Sequence, residues 1–254
     1  MSIPALSYWL GNPQGQYVLE WERARVEQAV TDIFGFNAVQ LGFLECDYLL
    51  GNRMPNKFRC DDALSQTRGD VVTDLRHLPF PAASIDLVVL PHVLEFSSDP
   101  HQVLREVERV LVPDGHAVIT GFNPYSLWGL RRSWGYFEPV FPWVGNYLSV
   151  PRLKDWCKLL SLETQAGWFG CYAPPVNSER WIQRWRFMEK AGDRWWPMFG
   201  GAYVIQAVKR VHGMRLIKPR LKDIKARAGA LSPVVQRQIV AAQGDLREGK
   251  KVVG

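Results

Sequence analysis

Nowhere in these 254 residues is there an apolar run of the roughly 18–20 residues that a membrane-spanning helix needs. The opening MSIPALSYWLGNPQGQ lacks the basic stretch and apolar core of a secretory signal. Cysteine is scarce: Cys46, Cys60, Cys157 and Cys171 are scattered without C-x-x-C spacing. That argues against a zinc knuckle or a disulfide framework and for a reducing compartment, so a cytoplasmic location and no metal site are expected. Acidic residues are nearly missing from one region. Between Lys209 and Arg227 eight Lys or Arg face Asp223 alone, so the segment carries +7 of a net +6, and the remaining chain sums to about −1. The basic excess belongs to the C-terminal end.

The length suits one α/β domain with some elaboration. YVLEWERARVEQAVTDIF (17–34) spaces Leu19, Val26, Ala29, Val30, Ile33 and Phe34 as one helical face and predicts an amphipathic helix ending at Gly35. Ala38–Leu41 reads as a first strand, Lys57–Cys60 as a faint one and residues 69–74 as a clearer one. Ile85–Leu90 is a continuous apolar run, the pattern of a strand buried on both faces. Asp99 predicts an N-cap, Pro100 fits the first turn, and Gln102 is placed to reach back as in a capping box. Val103, Leu104, Val107, Val110 and Leu111 mark the buried face of that helix. Pro113-Asp-Gly115 predicts a turn into the strand Ala117–Phe122.

Strand, loop, strand, helix, strand over 70–122 predicts a parallel sheet with crossover helices. Ligands of such sheets bind beyond the carboxyl ends of the strands. Those ends are Gly42, Asp74, Pro91–His92 and Phe122–Pro124. Further on, residues 163–172 and 202–209 predict two strands, with a helix over 178–191 between them. Nine of the eleven tryptophans lie from Trp128 onward; Trp181, Trp185, Trp195 and Trp196 are expected in the core, with a lipid or partner surface as the alternative. The expected organisation is one domain over 1–210, with an aromatic-rich roof or insertion at 125–200, then a basic flexible tail over 211–254 that could include a short helix at 232–248.

Three linked stretches carry a resemblance. They are DLRHLPFPAASID (74–86), LPHVLE (90–95), and Asp99-Pro with LREVERVLVPDG (104–115). Together they resemble the class I S-adenosylmethionine-dependent methyltransferases, in the small-molecule branch with D-x-x-x-LPF, H-V-L-E-H and L-x-E-x-x-R-V-L-x-P-G-G patterns. The likeness covers about residues 70–130 closely and 17–42 loosely. It implies a Rossmann-like, doubly wound, mostly parallel sheet with helices on both faces. It also implies S-adenosylmethionine as cofactor and in-line methyl transfer to a small or lipid-like acceptor.

On that resemblance Asp74 contacts the adenine and Leu75 packs near the ring, while Pro91 and His92 line the methionine side. Asp61 or Asp62, ending the second strand, grips the ribose. Gln40, Gly42 and Phe43 occupy the first turn, where the family carries an acid and G-x-G-x-G. Here Gln40 replaces the acid and Gly42 alone survives. From Gly42 to Asp74 is too short for two helices and a strand, so a helix is expected to be missing or reduced.

Other readings stay open. Asp74 could simply cap or solvate a strand end, His92 could act as a general base or only pack, and Glu106 with Arg109 reads as a solvated or sheet-edge ion pair. The group Tyr125, Trp128, Trp134, Tyr136, Phe137, Trp143 and Tyr147 could roof an apolar or aromatic acceptor or form a second core layer. Three functions compete: a small-molecule methyltransferase, an inactive scaffold with an eroded cofactor turn, and an RNA methyltransferase using the tail. The tail's charge could instead meet an anionic membrane surface, or be only solvated.

Overall fold

The computed structural model describes residues 6–62, 69–133 and 141–211. The chain divides into two units, Met1–Val211 and His212–Gly254; the expected tail helix and most of the basic segment lie outside the described residues, as do Trp134, Tyr136 and Phe137.

Seven strands form one sheet: β1 (Asn37–Leu41), β2 (Asn56–Asp61), β3 (Val71–Val72), β4 (Ile85–Pro91), β5 (Leu111–Phe122), β6 (Leu162–Gly170) and β7 (Ala202–Lys209). Their order is β3-β2-β1-β4-β5-β7-β6. β1 to β5 run parallel, and β7 inserts antiparallel between β5 and β6. Parallel strands bury both faces, and β4 shows why its sequence is uninterruptedly apolar. Leu87 and Val89 join one core cluster, Val88 and Leu90 the other.

The helices supply the two covers. They are α1 (Leu6–Leu10), α2 (Pro13–Thr31), α3 (Val93–Phe96), α4 (Pro100–Val110), α5 (Leu127–Ser133), α6 (Val150–Leu159), α7 (Glu179–Trp185) and α8 (Phe187–Trp195). Val18, Val26 and Val30 of α2 pack on the first face, while Val103, Leu104 and Val107 of α4 and Leu153 of α6 pack on the second. Each such side chain contributes about 1.5–3 kcal/mol of burial. The doubly wound architecture expected from the sequence is present.

Several boundaries move for identifiable reasons. The first long helix begins at Pro13 and stops at Thr31, and Phe34 is 75% exposed rather than on its buried face. Asn52 ends it: its Nδ2 donates to the carbonyls of Val30 and Ile33 at 2.7 and 3.1 Å. Asp99 does cap α4, accepting from the Gln102 amide at 3.0 Å. Gln102, however, sends its side chain to the Arg76 carbonyl instead of back to the cap.

The 113–115 turn lies within β5 as a bulge. Ile85 pairs with Leu111 and Leu87 with His116, so the residues between loop out, with Asp114 left-handed at φ 62°. The helix over 178–191 is two helices, α7 and α8, meeting at Arg186. Between β1 and β2 the described chain makes only turns, so the crossover helix expected to be reduced is absent there.

Candidate functional site

The strand order reverses between β1 and β4, which makes the crevice beyond their carboxyl ends the ligand site of an open α/β sheet. β1 delivers Gly42 and Phe43 there, both left-handed at φ 67° and 53°. Glycine tolerates that conformation, whereas an aromatic residue takes it only when its surroundings impose it. A Cβ at Gly42 would also come within 3.1 Å of Val93 Cγ2.

Gln40 is what imposes the turn. Wholly buried, its Nε2 donates to the carbonyls of Gly42, Phe43 and Cys46 at 3.2, 3.1 and 2.8 Å, and its Oε1 accepts from the Tyr48 amide at 2.9 Å. Gln40 was expected to touch the cofactor; its amide is committed inward instead. A carboxylate could not donate to those three carbonyls, which explains the neutral residue where the family has an acid.

β4 ends at Pro91, and His92 follows in the left-handed region at φ 55°. Its Nε2 lies 2.8 Å from Glu22 Oε1 on α2, and its Nδ1 2.7 Å from Glu95 Oε2 on α3. Tyr48 Oη donates to Glu22 at 3.0 Å, and the Phe122 amide donates to Glu95 at 2.5 Å. His92, Glu22 and Glu95 are each at most 2% exposed. Burial alone would lower the imidazole's proton affinity. The attraction and hydrogen bonds of Glu22 and Glu95 outweigh it and raise the pKa to about 10. Burial likewise pushes the Glu95 carboxyl up, against the pull of His92 and the Phe122 amide.

Held by a carboxylate at each ring nitrogen and 1% exposed, His92 is the centre of a clamp joining α2, β4, α3 and β5.

Asp61 is the last residue of β2 and buried, where a ribose-gripping acid is expected. Glu45, which the sequence did not single out for the site, stands near it: burial raises its pKa and the Asp61 charge adds to the effect. Beyond β3, Leu75 is buried, while Asp74 is half-buried and held by Arg76 Nη2 at 2.8 Å, which keeps its carboxyl well below the usual range. Glu106 and Arg109 are more than a solvated pair. Arg109 donates to the carbonyls of Leu78 and Phe80 while Glu106 accepts from the Leu78 amide, so the pair pins the Leu-Pro-Phe loop.

Between these two groups the crevice holds rings. Phe141, 1% exposed, lies 5.8 Å from His92, 6.1 Å from Phe43, 5.8 Å from Phe122 and 4.7 Å from Trp9 between centroids. Around this cluster, among the described residues, Trp9 Nε1, Thr120 Oγ1 and Tyr147 Oη are buried without a hydrogen-bond partner. Trp128 is fully buried and Tyr147 stacks on Phe122, so these two of the aromatic group build core; Tyr125 is 64% exposed. Trp181, Trp195 and Trp196, expected inside, are 52, 70 and 54% exposed; only Trp185 of that set packs against the core.

Residues 53–119 match a family profile described as a methyltransferase domain. The uncharacterised protein YafS of Escherichia coli K12 is 30% identical over 162 residues, covering 64% of this chain and 67% of that protein. A malonyl-[acyl-carrier protein] O-methyltransferase of Halorhodospira halophila is 38% identical over 85 residues, 34% of this chain and 26% of that protein. A solved S-adenosylmethionine-dependent methyltransferase of Thermotoga maritima shares the fold, with TM-score 0.57 and 18% identity over 80% of this chain and 94% of that one. The chain belongs to the class I S-adenosylmethionine-dependent methyltransferases. S-adenosylmethionine is the cofactor of that family.

Proposed function

We propose that this chain transfers a methyl group from S-adenosylmethionine to a small, apolar acceptor. One observation supports it most: the crevice at the β1/β4 reversal has acids on its nucleoside side and unpaired donors on the other. Asp61 would hold the ribose hydroxyls, Asp74 and Leu75 the adenine, and the Gly42–Phe43 turn would follow the ligand backbone closely. Trp9 Nε1 and Tyr147 Oη are donors that an acceptor group of the methionine half would satisfy.

When bound, the cofactor supplies an electrophilic methyl on a sulfonium, with a thioether as leaving group. The chain's own task is alignment and exclusion of water, for which no proton-transfer residue is required. Phe43 and Phe141 are the water-excluding walls. The Phe141 ring has to shift for the methionine half to enter, because it now lies between Phe43, His92 and Trp9.

An apolar acceptor is favoured by the groove that begins where β5 ends. It encloses about 690 Å³ and is lined by Tyr125, Leu127, Leu130, Met188, Trp196 and Phe199 among others. The test is incubation with methyl-radiolabelled S-adenosylmethionine and either a bacterial lipid extract or a water-soluble extract. Label in the lipid fraction with release of S-adenosylhomocysteine is expected. Label confined to RNA or to water-soluble products would sink the apolar-acceptor reading. The inactive-scaffold alternative draws on the ring-filled crevice, and cofactor binding separates it.

A further inference from the structure

Five consecutive apolar residues, Trp195-Trp-Pro-Met-Phe199, close α8 and form the short turn that follows it, and all five are exposed. Trp195, Trp196, Met198 and Phe199 are each more than half open, at 70, 54, 63 and 58%. A run of this length is not tolerated on an ordinary soluble surface without a use. Its backbone is fixed. Asn123, itself 2% exposed at the end of β5, donates through Nδ2 to the carbonyls of Met198 at 2.7 Å and Gly200 at 3.0 Å. Tyr172 Oη donates to the Pro197 carbonyl at 3.0 Å. With its carbonyls pinned inward, the turn presents its side chains outward as a preformed apolar projection.

The surroundings extend the same surface. Across the apolar groove Tyr125, Leu127 and Leu130 are 64, 49 and 51% exposed. The segments Leu127–Ser133 and Glu179–Phe199 carry seven Lys or Arg against three Asp or Glu. Of those acids Glu189 turns inward to Tyr17 and the Tyr172 amide, and of those cations Arg186 pairs with Glu20 of α2 at 3.3 Å and Arg132 donates to the Trp143 carbonyl. Exposed Arg194 precedes the projection, and Arg131 follows Leu130 on α5.

We infer that the Trp195–Phe199 turn and the face of α5 across the groove dock the protein on the surface of an anionic lipid bilayer. Indole and phenyl rings would sit at the headgroup level and arginines among the phosphates. A protein partner would use aromatics and arginines too. The projecting shape of the turn, its open apolar groove and the surplus of cations favour lipid. Among the described residues no helix is long and apolar enough to cross a membrane, so the attachment is peripheral.

The inference does not depend on methyl transfer, and its test needs neither cofactor nor acceptor. Full-length wild type, Trp196→Ser/Phe199→Ser and Arg131→Gln/Arg194→Gln are sedimented with vesicles of phosphatidylcholine alone or mixed with phosphatidylglycerol. Trp196, Phe199 and Arg194 are exposed, while Arg131 is half-buried with its guanidinium 5.4 Å over the Trp143 ring, so circular dichroism checks that each variant keeps the fold. Wild type is expected to bind the mixed vesicles with a blue shift in tryptophan emission and to keep part of that binding in high salt. The aromatic variant is expected to lose about tenfold or more in partitioning, and the arginine variant to lose mainly the preference for the anionic lipid. No vesicle binding by wild type would overturn the inference. So would binding that both variants retain, which would place attachment elsewhere, for instance on the Lys209–Arg227 charges. A wild-type dimer that the aromatic variant abolishes, without vesicle binding, would identify the face as a protein contact and also overturn it.

Discussion

His92 Nε2 and Glu22 Oε1 lie 2.8 Å apart, both 1% exposed, and join the end of β4 to the middle of α2 across 70 residues of sequence. This contact, with Glu95 on the opposite nitrogen, makes the floor of the crevice a charged clamp. Glu22→Ala would leave a buried imidazolium short of one carboxylate and Tyr48 Oη without its acceptor. The expected loss is about 3–5 kcal/mol in urea unfolding. A change under about 1 kcal/mol would show that the clamp contributes little.

The same clamp sets a pH dependence. The His92 pKa is raised from 6.5 to about 10, and Glu95 is raised as well. Both shifts mean that the folded state binds more protons than the unfolded one. The His92 contribution is therefore full below pH 6.5 and lost as the pH rises toward 10. Melting temperatures should fall across that window, and His92→Asn should flatten the fall while lowering the overall stability. A wild-type profile rising over the same range would contradict the assignment.

Gln40→Glu restores the acid usual at this position in the family, and the structure predicts that it harms the protein. Three carbonyls would lose their donor and face a buried charge. At about 1–3 kcal/mol for each buried group left unsatisfied, a destabilisation above 3 kcal/mol is expected. If the variant melted like wild type and bound cofactor more tightly, Gln40 would belong to the ligand site after all.

Asn123→Ala removes both donors to the Met198 and Gly200 carbonyls. About 1–3 kcal/mol should be lost, and hydrogen exchange should rise locally over residues 197–201. A uniform rise across the sheet instead would show that Asn123 supports the whole fold and not this turn.

The sheet was legible because its strands obey one constraint at a time. Ile85–Leu90 is apolar because both faces are buried, and Asp99-Pro100 announces a helix start through local capping chemistry. What stayed hidden depends on partners far away in the chain. Nothing local marks Glu22 as the mate of His92, or Asn52 as the residue that ends α2. Phe141 reads as one aromatic among many until the fold sets it against Phe43, His92 and Trp9. The late tryptophans misled in the opposite direction. Periodicity does not distinguish a core stripe from an exposed apolar run, and residues 195–199 proved to be the latter.

On the proposed function, the crevice between β1 and β4 still takes S-adenosylmethionine although Gly42 alone remains of the glycine-rich turn. Calorimetric titration of S-adenosylhomocysteine into wild type and Asp74→Ala is the decisive measurement. Binding to wild type is expected, with about tenfold weaker binding to the variant, the worth of one polar contact; because the variant also loses the partly exposed Asp74–Arg76 pair, both proteins are titrated well below their melting temperatures. No heat and no thermal shift with wild type at saturating ligand would contradict it and leave a methyltransferase fold whose cofactor crevice has been closed by Phe43 and Phe141.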